Sequence, residues 1–199
     1  ETEVGKGIKT SKIDRDELFV TTKIDPNNLD PDRIIPSFDN SLRKLEMEYA
    51  DLLLIHWPNP DMDLQGCIDA MNELQENEKV RHLGVSNFNS ELFNEAMQYG
   101  KIVNNQVKFN PYQAPFDILE TAKENNATVT AYTPLEHGNL ENDSILNQIA
   151  KNYDKTISQI SLRWLLQLGN ISVIPKASSH RHRFDNINIF DFEITDEDM

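Results

Sequence analysis

Six short apolar runs, separated by helical patterns, restrict this sequence to a small set of folds. They are Leu18–Lys23, Asp51–His56, His82–Asn87, Ile102–Phe109, Ala127–Thr133 and Ile171–Pro175. Their Val, Ile and Leu residues are continuous rather than alternating, which is the pattern of a strand covered on both faces. The segment from Pro31 to Leu45 opens on a proline suited to a first helical turn and lines up Ile34, Phe38, Leu42 and Leu45. Thr156 and Gln159 have the spacing of a capping box. They begin a second helix with Ile157, Ile160, Ser161, Trp164, Leu165 and Leu168 on its inner stripe, and Gly169 ends it. Strand and helix in repeated alternation predict an α/β fold with a parallel sheet.

An open sheet and a closed barrel both satisfy that alternation. An open dinucleotide-binding sheet needs a glycine-rich strand-to-helix turn, and the chain, with seven glycines, has no G-x-G-x-x-G. A barrel puts its chemistry at the C-terminal ends of several strands. Lys23, His56, Ser86 with Asn87, Tyr132 and Lys176 stand at or just after the ends of their runs, and Gln106 lies in the second half of its own. The pattern therefore favours a barrel.

Charge and composition narrow the function classes. The formal net charge of −14 disfavours nucleic acid and anionic membranes as partners. The same acidity fits a halophilic source or an acidic mesophilic one. A single cysteine, Cys67, excludes an internal disulfide and a cysteine-based metal site. The first residues lack the basic start and apolar centre of a signal peptide, so the expected location is cytoplasmic. A metal-dependent hydrolase built around His56 lacks a second histidine at a strand end, because His82 begins a strand and His180 and His182 lie in a basic segment.

Seven segments carry a family resemblance. They are Phe19-Val-Thr-Thr-Lys, Asp51-Leu-Leu-Leu-Ile-His-Trp-Pro, Lys79-Val-Arg-His-Leu-Gly-Val-Ser-Asn-Phe, Asn105-Gln-Val-Lys-Phe-Asn-Pro-Tyr, Ala131-Tyr-Thr-Pro-Leu, Ser161-Leu-Arg-Trp-Leu-Leu-Gln and Val173-Ile-Pro-Lys-Ala-Ser-Ser. In order and spacing the chain resembles the aldo-keto reductases over nearly its whole length. The resemblance implies a (β/α)8 TIM barrel and an oxidoreductase that reduces an aldehyde or ketone to an alcohol with hydride from NADPH. It makes Lys23 and His56 catalytic partners of a tyrosine acid, with the lysine charge lowering the tyrosine pKa. Ser86, Asn87 and Gln106 would hold the nicotinamide carboxamide, and Tyr132 would stack on its ring. By the same resemblance Leu135 would belong to the pyrophosphate loop. Lys176, Ala177, Ser178, His182 and Asn186 would take the 2′-phosphate and adenine. His182 stands where many members have arginine, which weakens the phosphate fork, so NADP(H) is expected with NAD(H) as the alternative. Trp57 would wall the substrate pocket, with Phe109 or Tyr112 contributing, and no metal is expected.

Several positions depart from the family pattern. Glu46 and Glu78 occupy helix ends where glycine is frequent, and Asn77 could take the left-handed conformation in place of Glu78. Glu136 puts a carboxylate beside the pyrophosphate loop. A complete barrel runs to about 250 residues. The chain resembles the part that follows the catalytic tyrosine, so residues 1–199 are expected to be one domain truncated at both ends, with about six of the eight βα units, strands 3–8. The isolated fragment is expected to bind cofactor poorly, associate, and turn over aldehydes negligibly. The alternative is a catalytically inactive nicotinamide-binding regulatory module of the same fold.

Overall fold

A computed structural model describes all residues from Glu1 to Met199. The chain divides into two compact units, Glu1–Asn105 and Gln106–Met199.

In the first unit, helix α1 (Thr2–Ser11) leads through a single 3-10 turn at Arg15–Glu17 into β1 (Thr21–Ile24). Then follow α2 (Pro31–Leu45), β2 (Ala50–Ile55), α3 (Leu64–Glu76), β3 (Val80–Ser86) and α4 (Ser90–Tyr99). Strands β1, β2 and β3 pair in parallel in chain order. Every residue of β2 is buried, as its unbroken apolar run requires. The first strand begins three residues later than the apolar run predicts. The Val20 amide donates to Asp51 Oδ2 at 2.8 Å, so a side chain takes the bond that a ladder carbonyl would have taken. Gly84 admits two close neighbours: a Cβ there would lie 2.7 Å from the Asn104 carbonyl oxygen and 2.6 Å from Leu54.

Strand β4 (Ile102–Lys108) carries the chain from the first unit into the second. There α5 (Phe116–Glu124), β5 (Thr128–Tyr132), α6 (Ser144–Asn152), α7 (Ile157–Gln167), β6 (Ile171–Val173) and α8 (His180–Ile187) follow. Strands β5 and β6 pair in parallel, Val129 opposite Ile171 and Ala131 opposite Val173. All six expected strands form, with ends shifted by no more than three residues.

The helix boundaries follow local chemistry. Asp30, Asp63, Asn89, Asp143, Thr156 and Ser179 each accept a first-turn amide of the helix they precede. The capping box at Thr156–Gln159 is complete, and Gly169 turns left-handed (φ 75°) just past α7. Helices α2 and α3 end in six-to-one bonds, Met47 amide to Leu42 carbonyl and Lys79 amide to Leu74 carbonyl. The left-handed residues in those ends are Glu46 (φ 55°) and Glu78 (φ 58°). Asn77 keeps φ −82°, so it does not relieve Glu78 of that conformation. The six-to-one bond fixes which residue must turn left-handed, and that residue is one position beyond the asparagine. Glu78→Gly should therefore stabilise the chain by about 0.5–1 kcal/mol, the left-handed cost of a side chain less the extra unfolded-state freedom of glycine. The midpoint of urea unfolding reads the change, and a lower midpoint would mean that the glutamate side chain contributes there.

Candidate functional site

Register brings the first pair together. Lys23 lies opposite Leu54, and successive residues of a strand alternate faces, so Lys23, Leu54 and His56 share one side of the sheet. The His56 amide extends the ladder by donating to the Ile24 carbonyl at 3.1 Å. Both side chains are half-buried at the C-terminal end of the strands. Burial lowers the Lys23 pKa below the ordinary lysine range. It also lowers that of His56; the nearby Lys23 charge pushes the same way, and Asp25 opposes both. The arrangement offers an ammonium group beside an imidazole held toward its neutral form.

The third strand end is tied to the second. Asn87 takes a left-handed conformation (φ 63°). Its amide nitrogen donates to the His56 carbonyl and to Ser86 Oγ, both at 3.0 Å. Ser86 is buried, and the fully buried Asn105 holds the Phe88 carbonyl at 2.9 Å, anchoring the turn that follows. Trp57, next to His56, leaves 48% of its surface exposed. Of the expected residues in this unit, the structure thus gathers Lys23, His56, Ser86 and Asn87 at the ends of β1, β2 and β3, with Trp57 beside them.

In the second unit Gln106 is buried within β4, and Tyr132 ends β5 with its ring half-buried. Burial raises the Tyr132 pKa against the opposing charge of Lys108. The following turn carries Thr133 (φ 51°), Glu136 (φ 43°), His137 (φ 55°) and Gly138 (φ 89°), all left-handed, with Leu135 half-buried between them. Glu136 is not a loose carboxylate. Lys108 Nζ lies 2.9 Å from its Oε2, and Asn110 Nδ2 donates to the same oxygen at 2.6 Å. The lysine bond lowers its pKa more than burial raises it.

The basic segment after β6 is open to solvent. Lys176, Ser178 and His182 are exposed, while Ala177 and Asn186 are half-buried. Ser179 Oγ accepts the His182 amide at 3.1 Å, and Arg183 donates to the Ser178 carbonyl at 2.7 Å, which folds the segment onto the first turn of α8. Ala177, Arg183 and Asn186 help line a cavity of about 530 Å³ whose other walls include Leu166, Val173 and Phe190. Phe109 is fully buried edge-on to Phe116 and Trp164, so it belongs to the core, and the Tyr112 hydroxyl donates to Asp143 at 3.0 Å. Nothing local in the sequence marks Lys108 or Asn110 as site residues, whereas Arg183 belongs to the basic segment suited to a phosphate. Asn110 stands in a quoted motif, but its partners Thr133 and Glu136 are distant in the sequence.

The family model described as "Aldo/keto reductase family" matches residues 1–199. A protein of Bacillus subtilis (strain 168) named glyoxal reductase is 36% identical over 198 residues, covering 98% of this chain and 71% of that protein. The solved structure of a putative 2,5-diketo-D-gluconic acid reductase B superposes with a TM-score of 0.96 at 38% identity, over 100% of this chain and 71% of the other. An aldo-keto reductase of Bombyx mori, solved in complex with NADP, superposes with a TM-score of 0.91 at 31% identity, over 99% of this chain and 72% of the other.

Proposed function

The chain belongs to the aldo/keto reductase family, and from that premise we propose that it reduces a small aldehyde or ketone to the alcohol with NADPH. The observation that carries the reading is the pairing of Lys23 with His56 on one face at the ends of adjacent strands. When bound, the reduced nicotinamide supplies a hydride to the carbonyl carbon, and the carbonyl oxygen then needs a proton.

The chain's own residues serve that proton. The Lys23 charge would lower the pKa of a tyrosine acid brought beside it and keep that proton mobile. His56, held toward the neutral form, can donate one hydrogen bond to the carbonyl oxygen and so orient it. Asn87 fixes the backbone from which the imidazole projects, because its amide holds the His56 carbonyl. Trp57 excludes water from one side of the substrate.

The residues assigned to the cofactor carry the kinds of group that a phosphorylated nicotinamide dinucleotide calls for. Ser86 and Asn87 in the first unit, and Gln106 in the second, each carry donors and acceptors of the kind that a carboxamide needs. Tyr132 presents part of its ring for stacking, and Leu135 begins the turn that takes the pyrophosphate. Lys176, with Ala177, Ser178, His182 and Asn186, is assigned to the 2′-phosphate and adenine. Glyoxal is the first substrate to try, since a relative is named for its reduction.

The test is consumption of NADPH by the full-length protein with glyoxal, alongside dissociation constants for NADPH and NADH. Lys176→Ala should shrink the preference for NADPH about tenfold, the loss of one charge-assisted phosphate contact. No cofactor consumption with any small aldehyde would reject the reaction, and an unchanged NADPH-to-NADH ratio would remove Lys176 from the phosphate site.

A further inference from the structure

The turn after Tyr132 holds an acidic residue where an anion is expected, and its surroundings answer that conflict. Lys108 ends β4, and its Nζ lies 3.0 Å from Glu136 Oε1 and 2.9 Å from Oε2, bridging the carboxylate. Asn110, fully buried, donates to Glu136 Oε2 and also to the Thr133 carbonyl at 3.1 Å. Its own Oδ1 accepts the amides of Tyr112 and Gln113, both at 3.0 Å, which fixes the side-chain orientation and leaves no spare donor or acceptor. The Phe109 amide meets the Tyr132 carbonyl at 3.3 Å. The end of β4 therefore grips both ends of the Thr133–Glu136 segment.

We propose that Lys108 and Asn110 are positioning residues for the pyrophosphate. Asn110 holds the left-handed turn in shape, and Lys108 cancels the charge of Glu136 so that a phosphate can lie against the turn. The proposal rests on the reading that this turn receives the cofactor. A carboxylate within a few ångströms of a phosphate repels it, and the repulsion is strongest away from bulk water. In a chain of net charge −14 no general positive field offsets that repulsion, so a local counter-charge is needed. His137, the next residue along, is the other group whose charge acts on Glu136.

Masking makes a prediction that a purely structural clamp does not: the two partners act with opposite sign. Lys108→Met uncovers the carboxylate and should weaken NADPH binding about tenfold, less in high salt, because the repulsion is screened. Glu136→Gln keeps an acceptor for Lys108 and Asn110 and removes the negative charge. It should leave the turn in place and tighten NADPH binding about two- to threefold. The double variant should bind NADPH at least as well as the parent, since nothing then remains to be masked. Melting temperature controls for loss of fold.

Dissociation constants for NADPH on the full-length parent and the three variants, at low and high salt, decide the matter. Opposite signs for the single variants support masking. Weakening by both, or an effect of neither, overturns it while leaving the cofactor reading intact. A parent that fails to bind NADPH overturns the cofactor reading, and masking with it.

Discussion

Replacing Lys23 by methionine is expected to lower kcat by about two to four orders of magnitude, the range that a positioned acid–base partner supplies. Methionine is close to lysine in length and fills the same half-buried volume, so the substitution removes charge while keeping most of the packing. Substrate KM should change little, because the ammonium group serves the proton and not the affinity. A second readout separates this role from damage to the strand. Burial comes first among the causes that hold the His56 pKa down, and the Lys23 charge comes second. Without that charge the His56 pKa should rise toward its ordinary value, with Asp25 then pulling in one direction unopposed by lysine. Imidazole titration followed by NMR reports the shift. An unmoved His56 titration together with an unchanged kcat would separate the two residues and remove the observation on which the reductase assignment stands.

The pairing of Lys23 with His56 was legible in the sequence because each stands within one residue of the end of a recognisable strand. In β2 an unbroken apolar run announces a strand with two covered faces, and His56, the first polar residue after it, marks where the chain leaves the sheet. Helix α2 runs from Pro31 to Leu45 as its proline start and apolar stripe predict. What the sequence hid depends on partners far along the chain. The start of β1 shifts because an aspartate 31 residues away takes the Val20 amide. Glu136 reads as an obstacle until Lys108, 28 residues earlier, is seen bonded to it. The left-handed residue past α3 is Glu78 and not Asn77, since a six-to-one bond and not residue preference selects the position. Periodicity and capping are local and survive in one dimension. Ion pairs across strands are not, and no spacing rule announces them.

Asp51 is the clearest such case, and Asp51→Ala should destabilise the chain by about 3–5 kcal/mol, the cost of leaving a desolvated cation without its partner. Asp51 is 1% exposed, and its carboxylate accepts the Val20 amide at 2.8 Å, Arg15 Nη2 at 2.7 Å and Arg81 Nη1 at 2.9 Å. Both guanidinium groups lie over the Tyr49 ring, 4.0 Å and 4.4 Å from its centre. Arg15 also donates to the Leu18 and Tyr49 carbonyls, so it cannot swing out to water without breaking the entry to β1. Burial alone would raise the Asp51 pKa, but the Val20 amide and the two arginines outweigh it and hold the pKa below the usual carboxylate range. A lowered folded pKa means that this stabilisation is complete above the unfolded value of about 4 and is lost as pH falls through the folded one. The stability gap between the parent and Asp51→Asn should therefore be wide at neutral pH and close in acid. A gap that stays constant across that range would show that the charge contributes nothing. Asp51 and His56 stand at opposite ends of β2, about 16 Å apart at the rise of a parallel strand. The folded fraction of Asp51→Asn should thus keep the parent kcat and the parent His56 titration, because this end of the strand holds the sheet while the other end holds the chemistry.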